Sequence, residues 1–157
     1  MSNYINTVIG ICLAFILLVI APLTFVSISQ YDTGKRLIHN DTVTFLDTIQ
    51  DKAYVTGQDI SDFALKINSH GLVVDMSINA YTLAGSEDEA GNPITLKIAK
   101  YTDFETLSAA ESRLFNRGDL VTIEIKEVGI SNIRRLMYSI LNLDIGPFDY
   151  TMATVVQ

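Results

Sequence analysis

Hydrophobic and polar positions divide the chain into an uncharged apolar head and a body of mixed polarity. The head contains the run VIGICLAFILLVIAPLTFVSI from Val8 to Ile28, which has no charged residue. At about 1.5 Å of rise per residue, a helix of this run spans roughly the 30 Å hydrocarbon core of a bilayer. The pattern predicts a transmembrane anchor over residues 1–30, with a helix from about Ile5 to Ile28. A buried core helix is disfavoured because the run is too long for a domain of this size.

A cleaved secretory signal is the rival interpretation of the apolar head. Such signals carry a basic N-terminal region and a cleavage site with small residues. Residues 1–7 contain neither lysine nor arginine, and Pro22 directly follows Ala21, which makes a poor cleavage site. The sequence therefore favours a retained anchor.

Two small residues and one proline mark the predicted anchor. Gly10 and Ala14 have the small-xxx-small spacing that lets a second membrane helix approach closely. Pro22 removes a backbone donor and crowds the carbonyl of Leu18, so a kink or a loosened turn is expected there. Pro22 is either a tolerated membrane proline or a hinge. We predict that Gly10, Ala14 and Pro22 serve helix packing and assembly.

Helical periodicity continues beyond the apolar run. Between Ser29 and Ala53 the apolar positions fall on one face, which makes a helix over residues 31–53 continuous with the anchor. These positions are Ile38, Phe45, Leu46, Ile49 and Ala53. A second helix is expected to begin after Thr56, a suitable N-cap, and to end at Gly71, which suits a left-handed cap.

The body then changes to the period-two alternation that is typical of half-buried strands. Four segments show it: Leu72–Leu83, Ile94–Tyr101, Leu120–Val128 and Phe148–Val156. The linker Ala84–Pro93 is rich in turn residues and charge, and we predict a long hairpin loop there. Short connections favour an antiparallel sheet covered on one side by the long helix. The predicted fold is α+β, with a single soluble domain over residues 31–157 that includes short helices.

Between the second and third strands, the sequence predicts a short helix and a turn. Thr102 and Glu105 form a capping box at the start of this helix. Its inward residues would be Phe104, Leu107, Ala110 and Leu114. The tripeptide Arg117-Gly118-Asp119 is typical of a turn, although it also matches an integrin-binding motif.

A last helix is predicted after Ser131, before Gly146-Pro147 breaks it. Its apolar residues are Ile133, Leu136, Met137, Ile140 and Leu141. Arg134 and Arg135 lie on the opposite side. They form either a solvated face or a salt-bridge contact with an acidic neighbouring subunit.

Charge and composition exclude several classes of function. The net charge is −7, and every charged residue follows Gln30, so the acidic body would repel nucleic acid. The only cysteine, Cys12, lies in the apolar run, which leaves the body without disulfides. No phosphate-binding or dinucleotide motif is present, so we predict no cofactor and no small-molecule substrate.

Catalytic and metal sites are also disfavoured by the sequence. His39 and His70 are the only histidines, and no nucleophile motif frames either of them. An enzyme would require one of them to meet acidic groups in a pocket. The acidic stretch Glu87–Glu89 does not have the spacing of an EF-hand calcium loop. We therefore predict a protein that is not an enzyme and has no metal site.

The order of elements resembles that of type IV pilins, in which an apolar N-terminal helix continues into a small antiparallel domain. More narrowly, the chain is similar to TadE-like minor pilins of Gram-positive tight-adherence or conjugation-type clusters. The residues that carry this resemblance are the anchor end Ala21-Pro22-Leu23, the segment Phe45-Leu46-Asp47 leading to Thr56-Gly57-Gln58-Asp59-Ile60, and the turn Phe115-Asn116-Arg117-Gly118-Asp119. Pilins usually carry a glutamate five residues into the mature helix, whereas counting from Gly10 reaches Phe15 here. This difference disfavours peptidase processing and membership of the major filament subunits.

The resemblance implies a structural subunit of a surface filament or of a secretion or conjugation apparatus. Its expected partners are membrane lipid and either further copies of the chain or other pilin-like subunits. The resemblance also implies a single-pass protein with its domain outside the cytoplasm, whereas Lys35 and Arg36 alone would favour a cytoplasmic domain. The alternative is a membrane-tethered binding or sensor domain that works as a monomer.

Overall fold

A single helical rod forms the N-terminal third of the chain. The computed structural model describes residues 2–87, 92–102, 104–129, 135 and 146–157. The rod consists of helix α1 (Ser2–Phe15), a π-helical turn (Ile16–Ile20) and helix α2 (Ala21–Lys52). The predicted continuation of the apolar helix into the domain is confirmed. Ala53 ends the rod in a left-handed conformation, with φ of 56°.

The π-helical turn ends two residues before Pro22, where a loosened turn was expected. In this turn the backbone N–H of Ala21 donates to the carbonyl of Ile16, one residue further back than in an α-helix. Pro22 is the second residue of α2 and has no N–H to donate to the preceding turn of the rod. The expected loosening of the helix is therefore confirmed.

Six strands follow the rod and form two antiparallel sheets. The strands are β1 (Tyr54–Thr56), β2 (Val74–Glu87), β3 (Pro93–Tyr101), β4 (Ser112–Leu114), β5 (Leu120–Glu127) and β6 (Asp149–Val155). The larger sheet has the order β3-β2-β5-β6, and the smaller sheet pairs β1 with β4. The predicted α+β class with an antiparallel sheet is confirmed.

The hydrophobic core lies between the C-terminal half of α2 and one face of the larger sheet. It includes Ile38, Leu46 and Ile49 from α2 and Val121, Ile123 and Ile125 from β5. Each fully buried aliphatic side chain of this kind contributes about 1.5–3 kcal/mol. The period-two alternation of β5 places its three apolar residues on this face, as the sequence predicted.

Helix α3 (Gly57–Asn68) packs beside α2. The Thr56 hydroxyl accepts from the backbone N–H of Asp59, and the Asp59 carboxylate accepts from the backbone N–H of Thr56. This reciprocal capping box confirms the predicted helix start. The rings of Phe45 and Phe63 stack with centroids 4.1 Å apart and join the two helices. Gly71 follows with φ of +77°, as expected for a left-handed cap.

The predicted hairpin loop Ala84–Pro93 is wrong over part of its length. Strand β2 continues to Glu87, and its register pairs Ala84 with Leu96 and Glu87 with Pro93. The turn-prone residues of this stretch are held extended because cross-strand pairing outweighs weak local preference. Residues 88–91 lie outside the described part of the chain.

The predicted short helix after Thr102 is also wrong. A 3₁₀ turn (Phe104–Thr106) is followed by β4, which pairs with β1. Phe104 is buried as predicted, but Leu114 is 66% exposed instead of inward. Hydrogen bonds from Gly57 N–H to the Glu111 carbonyl and from Phe115 N–H to the Ala53 carbonyl hold the segment extended. The helix predicted after Ser131 lies outside the described residues, except that Arg135 is helical and exposed.

Candidate functional site

The apolar half of the rod is the largest exposed hydrophobic surface of the described chain. Its side chains project from the domain and are exposed along the whole stretch from Tyr4 to Leu23. The described residues contain one helix that is long and apolar enough to cross a membrane, with a mean hydropathy of 2.8 in its most apolar window. Exposure of so large an apolar area to water is unfavourable, so a surface of this kind is typical of a contact with a membrane or with another protein.

Gly10 and Ala14 lie one turn apart on this exposed surface. A Cβ atom built on Gly10 would meet no other atom within 4 Å, so the space beside it is open. Residues four apart lie on the same side of a helix. The packing of a second helix on Gly10 and Ala14 stays a prediction. Pro22 lies further along, after the π-helical turn.

The two arginines predicted to contact neighbouring subunits are only partly described. Arg135 is exposed and helical. Arg134 lies outside the described residues. Their contact with another subunit therefore stays a prediction.

A groove lies where the exposed half of the rod meets the domain, and we call it the basal groove. Its walls are α2 between Ser27 and Leu37, the segment Ser69–Val73 that follows α3, and the last residue of β5 with the two residues after it, Glu127–Gly129. The cavity measures about 700 Å³. The hydroxyl of Tyr31 donates to Oε2 of Glu127 at 3.0 Å and closes one wall.

Asp41 joins α2 to the C-terminal end of α3. Its carboxylate lies 2.7 Å from Nε2 of His70 and 2.8 Å from Nζ of Lys66. Burial raises the pKa of Asp41, but hydrogen bonds from Lys66 and His70 outweigh it and lower the pKa below its ordinary value. The sequence did not identify this cluster, because its members are far apart along the chain.

One condition set for an enzyme, a histidine that meets an acidic group, is fulfilled by His70. However, no hydroxyl or thiol of the described residues is hydrogen-bonded to His70. His39 packs against the ring of Tyr150, with centroids 5.9 Å apart. A histidine–carboxylate pair without a nucleophile lacks the arrangement that acyl transfer requires. The geometry is that of a clamp between two helices.

A buried polar cluster surrounds Asp119, which is only 1% exposed. Its carboxylate accepts from Nζ of Lys100 at 2.5 Å and from the hydroxyl of Thr82 at 3.0 Å. The backbone N–H of Asn116 donates to it at 2.7 Å. Burial raises the pKa of Asp119, but the bonds from Lys100, Asn116 and Thr82 outweigh it and lower the pKa.

The tripeptide Arg117-Gly118-Asp119 forms the predicted turn, with φ of +91° at Gly118. Because the Asp119 carboxylate is buried and already bonded, it is not available to a receptor. The motif therefore has a structural role: it locks the turn against β2 and β3.

Thr42 forms a second buried polar contact, between α2 and β6. Its hydroxyl donates to the Ile38 carbonyl and lies 2.6 Å from the hydroxyl of Tyr150. Burial raises the pKa of Tyr150 above its ordinary value. The contact fixes the position of the C-terminal strand on the rod.

Metal-ligating side chains do not gather anywhere in the part of the chain that the structure describes. No group of three or more His, Cys, Asp or Glu residues is found there. Cys12 is exposed on the apolar helix. Of the acidic stretch Glu87–Glu89, only the backbone of Glu87 is described.

The described residues thus present two surfaces open to partners, the exposed apolar helix and the basal groove beside it. The sequence indicated the first through its uncharged run. It did not indicate the groove, which is formed by three segments that lie far apart in the chain. Comparisons with protein-family models, with curated proteins and with solved structures found no match to this chain.

Proposed function

We propose that this chain is a non-enzymatic, pilin-like structural subunit of a surface filament or of a secretion or conjugation apparatus. One observation carries the proposal: a single rod has an exposed apolar half and a half that is packed into the domain. Such a rod joins an anchor to a domain without a flexible linker. It would transmit a fixed orientation from the membrane to the domain, as assembly of a regular filament requires.

Lateral packing of the apolar halves is the first part of the proposed assembly. In lipid, helices associate through close packing and not through burial of apolar area from water. The open space beside Gly10 supports close approach of a second helix to Gly10 and Ala14. The partners would be further copies of the chain or other pilin-like subunits.

Contacts between neighbouring domains are the second part of the proposed assembly. Strand β3 is an edge strand of the described sheet, and an unpaired edge can receive another chain. Its alternating apolar residues Ile94, Leu96 and Ile98 are all exposed. Arg134 and Arg135 would add salt bridges to acidic neighbours.

The proposed location is a single membrane, crossed once, with the domain on the outer side. Lys35 and Arg36 follow the run and alone would favour a cytoplasmic domain, so the outer side is proposed from the resemblance to pilins. Protease added to intact cells would remove the domain if this orientation is correct. Protection of the domain until the cells are broken would contradict it.

Cysteine crosslinking tests the assembly, because Cys12 is the only cysteine of the chain. Cys12 lies two residues from both Gly10 and Ala14, so it faces the opposite side of the helix. In a Cys12→Ser background, Ala14→Cys should give a disulfide-linked dimer in native membranes. The unaltered chain, with Cys12 alone, is the matched control and should give little dimer.

A second substitution separates packing from chance collision. Gly10→Ile should reduce both the Ala14→Cys crosslink and the assembly of filaments or complexes, whereas Val8→Ile, on the opposite side of the helix, should not. Undiminished assembly of Gly10→Ile would contradict packing at this surface. A monomer in all these experiments would instead favour the second candidate, a membrane-tethered binding or sensor domain, for which the basal groove is the supporting observation.

A further inference from the structure

Two valines form an exposed apolar pair on the underside of the domain, and we call them the basal pair. Val73 is 67% exposed and Val128 is 54% exposed. The backbone N–H of Val128 donates to the carbonyl of Val73 at 2.9 Å, so the two residues lie side by side. Both line the basal groove, beside the rod.

The basal pair lies at the level where the apolar run ends. Ser27 also lines the groove, and the uncharged run extends to Ile28. Tyr31 is three residues further along, or about 4.5 Å along the helix axis. Its hydrogen bond to Glu127 holds the end of β5, next to Val128, at the same position along the helix axis. The headgroup zone beyond the hydrocarbon core is about 5–8 Å thick on each side. The underside of the domain therefore falls within that zone if the run spans a bilayer.

Two acidic groups near the basal pair, Glu127 and Asp32, already have partners. The carboxylate of Glu127 accepts from the Tyr31 hydroxyl and from the backbone N–H of Phe148. Asp32 lies 3.2 Å from Nζ of Lys35, which also lies over the Tyr31 ring. Contact with lipid at this surface would therefore not leave these acidic groups without partners.

We propose that Val73 and Val128 insert into the boundary between headgroups and acyl chains, so that the domain rests on the bilayer surface. This inference rests on the proposed function, which supplies the membrane anchor. A second copy is a poorer occupant, since a stable interface buries roughly 800 Å² on each partner and two valines offer far less. The bilayer, by contrast, already surrounds the adjoining helix.

Single tryptophans test the contact, because the chain contains none. The full-length variants V73W and V128W are reconstituted into phosphatidylcholine vesicles, with and without bromine on the acyl chains. F25W reports on the apolar run. L114W is the matched control, because Leu114 is equally exposed but pairs with Tyr54, beyond the far end of the rod.

Brominated lipid should quench V73W and V128W nearly as strongly as F25W, and their emission should shift to shorter wavelength. L114W should keep its full emission. Quenching of F25W without quenching of V73W and V128W would overturn the lipid contact and leave the anchor intact. Absence of quenching at F25W would overturn the anchor itself.

Two further outcomes are also decisive. A blue shift of V128W without quenching would mean that protein, such as a second copy, covers the basal pair, and the lipid contact would be wrong. If circular dichroism shows that V128W is unfolded, V73W decides the question alone, because Val73 is the more exposed of the two valines and therefore accepts a larger side chain more easily.

Discussion

The hydroxyl of Tyr31 donates a 3.0 Å hydrogen bond to Oε2 of Glu127, a residue 96 positions later in the chain. The same oxygen accepts from the backbone N–H of Phe148 at 3.1 Å. One carboxylate therefore joins the rod, just beyond its apolar run, to the end of β5 and the approach to β6. This contact fixes the domain to the rod at the end of the domain that lies next to the apolar run.

Removal of this hydroxyl should destabilise the attachment of the domain to the rod next to the apolar run. Tyr31→Phe keeps the buried ring but removes the donor, and should lower the free energy of unfolding by about 1 kcal/mol. Chemical denaturation of the full chain in detergent micelles measures this change. Tyr54→Phe is the control, since its ring is partly exposed at the other end of the rod. An unchanged midpoint for Tyr31→Phe would contradict the role given to this bond.

Asp119→Asn should destabilise the domain most among the polar substitutions. It leaves Lys100 without its buried counter-ion, and breaking a buried pair costs about 3 kcal/mol. The measurement is again the denaturation midpoint at neutral pH. Asp47→Asn, at an exposed position on α2, is the control and should have little effect.

The same cluster predicts how stability depends on pH. The pKa of Asp119 is lower in the folded protein than in the unfolded chain. Its stabilising contribution is therefore complete above the unfolded pKa of about 3.9 and is lost as pH falls through the folded pKa. Between neutral pH and pH 3, the variant Asp119→Asn should lose less stability than the unaltered protein. Parallel pH profiles would show that another group controls acid unfolding.

The clamp between α2 and α3 should show a measurable coupling. A double-mutant cycle of Asp41→Ala and His70→Ala should give a coupling free energy of about 0.5–1 kcal/mol, because the Asp41 carboxylate and Nε2 of His70 are within hydrogen-bond distance, 2.7 Å apart. The partners of Asp41 lower its pKa, so its contribution to this coupling should be complete above the unfolded pKa of about 3.9 and be lost as pH falls through the lowered pKa of the folded protein. The exposed pair Asp32–Lys35 gives a reference cycle with a smaller expected value. Independent effects of the two alanines would argue against the clamp.

Gly57 should not tolerate even one methyl group. A Cβ atom there would lie 2.1 Å from the Ser108 carbonyl oxygen, so Gly57→Ala must move backbone. We expect a loss of about 1–3 kcal/mol, typical of overpacking, with loss of the β1–β4 pairing. Gly85→Ala is the matched control, because nothing lies within 4 Å of the added atom. Thermal unfolding followed by circular dichroism compares the two variants, and equal stability would refute the close contact.

Local periodicity explains which elements could be predicted. In strand β5, apolar and polar residues alternate because one face of the strand is buried and the other is not. This alternation is visible in the sequence as a period of two. The rod was predictable for the same reason. The segment before Leu114 misled the prediction, because its apolar spacing also fits a helix. Its extended form depends on pairing with Tyr54–Thr56, which no local pattern contains.

By itself, the sequence determined that a long apolar helix leads into an α+β body, because the lengths and periods of hydrophobic runs are local properties. Only the tertiary structure decided that Asp41 meets His70, that Asp119 is enclosed by Lys100, and that Val73 lies beside Val128. The physical reason is that burial of the core brings distant segments together, and hydrogen bonds and surface patches then form between them. The residues that meet in this way have no regular spacing along the sequence.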